Sequence, residues 1–343
     1  MTTRTKVTAI GAGVLVAAVG AFFVLSGQAE DLGVPGFSEP ATCPLTGDEP
    51  RTEDLLDRAA VAVKIENSEV ARPLSGLEKA DLVYEELVEG GETRFMAFFH
   101  CKDATKAGPV RSARQVDPAI LGTKTRILAY SGANRAVTDT LDDAGVVSIT
   151  ESDAGEAMQR VAREGISSEH TLYANSSAIR RIARDEYDDA PPDDLFEFGD
   201  INDNARPARS ISINFGGAST ISYQWANSGY QRSQDGVAFV AESGRQIAPT
   251  NILIEEHRIK LSNVVDVTGT PSPIIVDETG SGRAVLFRDG RAIVGRWSRE
   301  SLEDSVTFET NNGDAMVFAT GSIWIELVPS PRGEVKGSFE YGR

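Results

Sequence analysis

Apolar residues occur along the first half of the chain in short runs separated by turn-forming residues. Strand-like runs occur there at 59–67, 126–132 and 145–150. Helix-like stretches are interspersed with them at 134–144, 154–163 and 177–184. Two more strand-like runs flank Gly90 and Gly91, a pair typical of a two-residue hairpin turn. Because strands that alternate with helices form layered structures, the pattern predicts an N-terminal α/β domain with a mixed sheet over 43–186.

From residue 210 onward, short β-type runs recur with Gly, Asn and Asp between them. Asp289 and Gly290 separate two such runs, and this dipeptide is a strong hairpin signal. The pattern predicts a mostly antiparallel β domain over 210–343, so the fold class is α+β. Residues 187–209 between the two domains are acidic and contain adjacent prolines, which predicts a linker.

The N-terminus carries a run of 19 residues without charge, at 7–25, preceded by Arg4 and Lys6. This length approaches the roughly 20 residues of a membrane-spanning helix, and the positive-inside rule places the rest of the chain outside the cell. We expect residues 1–27 to be a single-pass transmembrane anchor, followed by a tether at 28–42. The alternative is a signal peptide cleaved after "GQA", which would release a secreted protein.

The formal net charge of −17 argues against nonspecific nucleic-acid binding, which requires broad positive potential. One segment departs from this acidity. Residues 102–135 contain seven lysines and arginines but two acids, which gives a local net charge of +5. A basic segment within such an acidic chain is a candidate binding site for an anion.

The chain contains two cysteines, Cys43 and Cys101. In an extracytoplasmic protein such a pair predicts one disulfide, and the alternative is two unpaired buried thiols. His100, His170 and His257 lack the spacing of metal ligands, so no metal site is predicted. Phosphate-loop, dinucleotide-binding and zincin motifs are absent from the sequence, so no cofactor is predicted either.

The predicted hairpin around Gly90 and Gly91 is rich in acids. With this turn, Glu89 faces Glu92, although like charges directly opposite each other are destabilising. One face of the hairpin then collects its charged side chains: Glu85, Glu89, Glu92 and Arg94. Glu86 falls on the apolar face, where a buried carboxylate needs a partner or a raised pKa. The carboxylates are either a cluster for cation binding or acid–base chemistry, or a solvated tip with an arginine salt bridge.

The segment "GPVRSAR", residues 108–114, follows the second hairpin strand. If the residues after Pro109 are helical, Arg111 and Arg114 lie on one side of the helix, with Ser112 near its start. Two planar guanidinium groups beside free N–H groups suit a phosphate or a carboxylate. The alternative is that these arginines satisfy the domain's own carboxylates, such as those of the hairpin.

Other side chains are predicted to complete this anion site: Arg94, Asn134 of "SGAN", and His170 and Tyr173 of "EHTLY". The loop with Asn134 follows a predicted strand, and ligands commonly bind at the carboxyl ends of strands in α/β sheets. A triad of Ser112, His170 and Asp117 lacks a nucleophile-elbow motif, so no catalytic residue is predicted.

The chain resembles the YerB-like lipoproteins, a bacterial family whose domains have no established function. The similar runs include "RAAVAVKIENSEVARPLSGLEKADLVYEELVEGGETRFMAFF", "GPVRSAR", "SGAN" and "HTLY" in the first half, and "GSGRAVLFRDGRAIVGRW" and "GSIWIELVP" in the second. The resemblance covers nearly everything after Cys43. It implies a two-domain extracytoplasmic protein of the bacterial envelope, and it implies no activity. The sequence departs from the lipoproteins in having no cysteine closely after its apolar run.

Two functions of different classes fit these observations. The first is a membrane-anchored binding or scaffold protein whose arginines dock an anionic envelope component or another envelope protein. The second is an envelope enzyme acting on a phosphate-linked lipid or glycan, in which arginines clamp phosphates and a hairpin carboxylate holds a divalent cation. The absence of any catalytic motif in the sequence favours the first.

Overall fold

A computed structural model describes residues 41–201 and 205–343 of the chain. The predicted anchor at 1–27 and nearly all of the predicted tether at 28–42 lie outside these residues. Within the two described ranges, no helix has both the length and the apolar character needed to cross a bilayer.

The described residues form four α-helices and twenty-two strands. The helices are α1 (Asp117–Leu121), α2 (Arg135–Asp143), α3 (Glu151–Ala154) and α4 (Ser176–Ala183). The strands of the first half are β1 (Val61–Glu66), β2 (Leu82–Leu87), β3 (Thr93–Phe99), β4 (Ile127–Ala129), β5 (Val147–Ile149), β6 (Met158–Arg160), β7 (Leu172–Ala174), β8 (Glu197–Phe198) and β9 (Arg206–Pro207). Those of the second half are β10 (Ser210–Asn214), β11 (Ile221–Ala226), β12 (Gly229–Gln234), β13 (Val237–Ala238), β14 (Asn251–His257), β15 (Ile259–Val265), β16 (Pro271–Ile275), β17 (Gly280–Arg288), β18 (Arg291–Arg299), β19 (Thr307–Thr310), β20 (Val317–Phe318), β21 (Ile323–Pro329) and β22 (Ser338–Gly342).

A single mixed sheet connects the two halves of the chain. In the described residues its strand order is β19-β18-β17-β14-β21-β2-β3-β1-β4-β5, with β9 paired to β18. The halves join where β21 pairs in parallel with β2, so that Glu326 lies opposite Glu85. Strands β1, β4 and β5 are also parallel, and their carboxyl ends therefore meet at one edge of the sheet.

Both faces of this main sheet are buried, which explains why its central strands are apolar almost throughout. A five-stranded antiparallel sheet, β13-β12-β11-β10-β22, packs against one face through Ile211, Tyr223 and Tyr230. Helices α1 and α2 cover the opposite face with Ile120 and Leu141. Strands β15 and β16 pair as a hairpin and make up a separate two-stranded sheet.

The predicted fold class is confirmed: an α+β chain with a mixed sheet and a mostly antiparallel C-terminal half. Asp289 and Gly290 form the predicted two-residue turn, and both have the positive φ angles of a type I′ hairpin. The predicted helix at 154–163 is wrong, because Met158–Arg160 pairs with β7 as a strand. Residues 187–209, predicted as a linker, contain β8 and β9 and bury apolar side chains that include Leu195 and Phe196.

Cys43 and Cys101 form a disulfide with a Cα–Cα distance of 6.1 Å. It joins the start of the described region to the residues that follow β3, across a sequence separation of 58 residues. A cross-link over a loop of this length stabilises a fold chiefly by restricting the unfolded chain.

We expect replacement of both cysteines by serine to lower the free energy of unfolding by about 2–4 kcal/mol. Urea unfolding of the oxidised chain and of the Cys43→Ser/Cys101→Ser variant measures this difference. A reductant should destabilise the original chain and leave the double variant unchanged. Equal stability of the two oxidised samples would contradict the expectation.

Candidate functional site

The arginine-rich segment is extended rather than helical. The backbone N–H of Arg111 donates to the carbonyl of Lys64 (2.9 Å), and that of Ser131 donates to the carbonyl of Arg111 (3.0 Å). The segment therefore lies between the carboxyl ends of β1 and β4, and the prediction of a helix start at Ser112 is wrong. Helix α1 begins at Asp117. This edge is where α/β sheets commonly bind ligands.

Arg111 pairs with two carboxylates of its own chain. Its Nε lies 3.2 Å from Oε1 of Glu66, and its Nη2 lies 3.1 Å from Oε2 of Glu169. The Glu169 side chain is 57% exposed, and its hydrogen bond with Arg111 lowers its pKa. An exposed partner of this kind is screened by solvent, so its pair with Arg111 is weak. Glu66 lies close to Nε of Arg111 as an ion pair, although that nitrogen has no hydrogen-bond partner in the described residues.

Arg114 forms a more buried pair with Glu89. The Nε of Arg114 donates to Oε2 of Glu89 at 2.8 Å, and Ser272 of β16 donates to the other carboxylate oxygen. Burial opposes ionisation of Glu89, but the arginine and the serine outweigh it and lower the pKa of this carboxyl. Glu89 thus connects the β2–β3 turn, the arginine segment and the β15–β16 hairpin.

Arg94, at the start of β3, is the least compensated of the three arginines. Its Nη1 donates to the carbonyl of Ser112 at 2.7 Å. No carboxylate oxygen of residues 41–201 and 205–343 lies within 4.0 Å of its guanidinium nitrogens. Burial, and then the positive charge of Arg114, lower the pKa of Arg94 to about 10. The site therefore has positive potential around a guanidinium that remains charged at neutral pH.

Beneath the arginines lies a buried charged triad of Lys64, Glu86 and Asp117, each at most 3% exposed. The Lys64 ammonium donates to Glu86 and, at 2.5 Å, to Oδ1 of Asp117. Burial raises the pKa of Glu86 to about 7, and Lys64 offsets part of this effect. The predicted need of Glu86 for a partner is met by Lys64, which was not predicted as a site residue.

The β2–β3 hairpin differs from its predicted register by one residue. Leu87 pairs with Thr93 and Glu86 with Arg94, because the connection is a three-residue loop, Glu89–Gly91, closed by the Val88 N–H and the Glu92 carbonyl. Gly90 and Gly91 have φ angles of +74° and +76°, a left-handed conformation that favours glycine.

This register separates the four predicted carboxylates. Glu85 faces the five-stranded sheet, where Arg232 binds it, and Glu86 lies on the opposite face. Glu89 pairs with Arg114, and Glu92 is exposed. The four side chains do not form one cluster, and no group of three or more possible metal ligands occurs in the parts of the chain described.

The remaining predicted site residues have structural contacts. The Asn134 side chain caps α2 by accepting from the N–H of Val137 (3.0 Å). His170 places Nδ1 2.8 Å from Oε2 of Glu66, which links it to Arg111. Tyr173 is buried, and the ammonium of Lys106 lies 4.3 Å from the centre of the Tyr173 ring.

Four residues that organise the site were not predicted from the sequence: Lys64, Glu66, Glu169 and Ser272. Lys64 and Glu66 were visible as charges within an apolar strand, a pattern that signals paired buried groups. Ser272 lies 183 residues from Glu89, and no sequence pattern connects the two.

Comparison with known proteins places the chain in a family. Residues 45–188 match the model for the N-terminal domain of a protein of unknown function, DUF3048, and residues 211–325 match its C-terminal domain. The "Putative lipoprotein YerB" of Bacillus subtilis (strain 168) is 28% identical over 329 residues, which is 90% of this chain and 92% of that protein. A crystal structure of YerB from Bacillus subtilis has the same fold, with a TM-score of 0.70 and 24% identity over 87% of this chain and 99% of that one. The chain belongs to the YerB-like DUF3048 family, whose two domains it carries in order.

Proposed function

We propose that the protein is an extracytoplasmic binding protein, tethered to the membrane, that holds a small oxyanion at Arg94, Arg111 and Arg114. The ligand chemistry is that of a phosphate or a carboxylate on an envelope component. The location is supported by the description of the Bacillus relative as a lipoprotein and by the uncharged run at 7–25. In this chain the run itself, rather than a lipid-modified cysteine, would provide the anchor.

The proposal depends on the guanidinium of Arg94, which no carboxylate of the described residues contacts within 4.0 Å. Arg114 is paired with buried Glu89, and Arg111 shares Glu66 with His170. An incoming oxyanion would meet Arg94 directly and replace exposed Glu169 on Arg111. Guanidinium groups bind such oxyanions through paired N–H donors, and partial burial strengthens these bonds.

The enzyme alternative has less support. It requires hairpin carboxylates close enough together to hold a divalent cation beside the arginines. Glu85 is on the other face of the sheet, Glu89 is occupied by Arg114 and Ser272, and Glu92 is exposed. The positions of these acids therefore favour binding over metal-assisted transfer.

We expect the full chain to bind inorganic pyrophosphate or acetate, and Arg94→Gln to weaken that binding about tenfold or more. The estimate follows from the loss of one or two charge-assisted hydrogen bonds. Isothermal titration calorimetry at low ionic strength measures both ligands, and the stronger one identifies phosphate or carboxylate as the preferred chemistry. Binding should weaken as salt increases.

Arg296→Gln is the matched control, because the Arg296 side chain is 62% exposed and pairs with Glu309 on the distant strand β19. Its affinity should equal that of the original chain. Arg111→Gln provides a second test if Arg94→Gln does not fold. Unchanged affinity in a folded Arg94→Gln chain, or no binding of either anion by the original chain, would refute the proposed site.

A further inference from the structure

A second cleft lies on the other face of the main sheet, where this sheet meets the five-stranded sheet. We call it the Arg72 cleft and define it by six of its residues: Asn67, Glu69, Arg72, Glu92, Gln234 and Asp235. They come from the loop after β1, the β2–β3 turn and the end of β12. Its volume is about 160 Å³, which is enough for several water molecules or a small ligand.

The floor of the Arg72 cleft presents an unused amide donor. Gln234 is 5% exposed, and its Oε1 accepts from Asn67 Nδ2 and Arg232 Nη1, each at 3.1 Å. Because both neighbours are donors, the orientation of the Gln234 amide is determined. Its Nε2 donates to no residue of the described chain, so this N–H group is free to donate to a molecule in the cleft.

Arg72 supplies a positive charge beside this amide. Its Nη2 donates to the carbonyl of Asn67 at 2.8 Å, while its Nε is buried without a hydrogen-bond partner. In the described ranges no carboxylate lies within 4.0 Å of the Arg72 guanidinium nitrogens. Burial, and then the charge of Arg232, lower the pKa of Arg72, so an anion here would relieve unfavourable electrostatics.

The rim of the cleft has the opposite charge. Glu69, Glu92 and Asp235 line it and are exposed. A phosphate dianion entering the cleft would pass three carboxylates, which repel it. A ligand that carries both a carboxylate and an ammonium group matches the donors of the floor and the acids of the rim together.

We propose that the Arg72 cleft binds a small zwitterion of the amino-acid class. The ligand carboxylate would accept from Arg72 and from Gln234 Nε2, and its ammonium group would lie among the rim acids. This site is separate from the proposed anion site, since it lies across the sheet and shares no residue with it.

The test uses the full chain and three probes: L-alanine, acetate and ethylammonium. Titration followed by ligand NMR should show L-alanine binding about tenfold or more tightly than either single-charge probe. Arg72→Gln and Gln234→Glu should each weaken L-alanine binding about tenfold or more. Gln234→Glu keeps the oxygen that Asn67 and Arg232 require but turns the free donor into a charged carboxylate oxygen, which repels the ligand carboxylate, so it tests the site if Arg72→Gln fails to fold.

Gln224→Glu is the matched control, because Gln224 is an exposed residue of β11 in the same five-stranded sheet. It should bind L-alanine as the original chain does, and so should Arg94→Gln, the variant of the anion site. Acetate binding as tight as that of L-alanine would overturn the zwitterion assignment. The cleft itself is refuted if the original chain does not bind L-alanine, or if folded Gln234→Glu binds it unchanged.

Discussion

Replacement of Arg232 by methionine is expected to lower the free energy of unfolding by about 3–5 kcal/mol, because it leaves a buried carboxylate without its partner. Arg232 is fully buried, and its Nη2 donates to both oxygens of Glu85, at 3.1 and 2.9 Å. Its guanidinium also stacks 4.1 Å from the ring centre of Phe239. This one side chain of the five-stranded sheet thus neutralises an acid of the main sheet.

A second acid increases the expected loss. Glu326 lies opposite Glu85 in the β2–β21 pair and accepts from the hydroxyl of Tyr223. Burial, and then the charge of Glu85, raise the pKa of Glu326 well above its usual range. This shift favours the protonated form of Glu326, while Arg232 balances the charge of Glu85.

The double variant Arg232→Met/Glu85→Gln should recover a large part of the loss, since it no longer buries an unpaired charge. Arg296→Met, at an exposed position, should change stability by less than about 0.5 kcal/mol. Chemical denaturation of the original chain, of Arg232→Met, of Glu85→Gln and of the double variant measures the coupling, with Arg296→Met as the control. If adding Glu85→Gln to Arg232→Met restores no stability, Arg232 stabilises the chain by packing against Phe239 rather than by compensating a charge.

The fold was predictable to the extent that local patterns determine it. The β17–β18 hairpin follows from one dipeptide, and α2 follows from an amphipathic stretch with an asparagine at its start. The joining of both halves through β2 and β21 was not predictable. These strands lie far apart in the sequence, and an apolar strand buried on both faces does not indicate its neighbour.

The candidate site, like the fold, was predictable from the sequence only in part. The sequence identified Arg94, Arg111 and Arg114, and the structure brings all three beside Ser112. It did not identify their partners, because the pairing of a strand end with a remote loop depends on topology. The one-residue error at the β2–β3 turn exchanged the environments of Glu85 and Glu86, since neighbouring residues of a strand face opposite sides.

Replacement of Lys64 by methionine is the second change with a large expected effect, a loss of about 3–5 kcal/mol at pH 8. The ammonium of Lys64 is the one cation in hydrogen-bonding contact with both Glu86 and Asp117 in the described chain. Asp117 keeps the backbone N–H of Arg114 as a donor at 2.8 Å, whereas Glu86 already has one oxygen without a partner. Most of the loss should therefore come from Glu86.

The stability lost in Lys64→Met should depend on pH, and the direction of this dependence follows from the titration of Glu86. Its pKa, raised to about 7 from an ordinary 4.5, means that the folded chain binds this proton more tightly than the unfolded chain. Stability then falls as pH rises from about 4.5 to about 7 in the original chain. Without Lys64 the pKa of Glu86 rises further, so stability continues to fall above pH 7.

The difference in free energy of unfolding between the original chain and Lys64→Met should consequently be larger at pH 8 than at pH 5, where Glu86 is protonated in both folded proteins. Urea unfolding at the two pH values measures it, and Lys64→Met/Glu86→Gln should remove most of the pH dependence. Lys260→Met, at an exposed position in β15, is the matched control and should have little effect at either pH. A loss that is equal at pH 5 and pH 8 would mean that Lys64 does not stabilise the chain through the charge of Glu86, because only an interaction with a titrating acid makes the loss depend on pH.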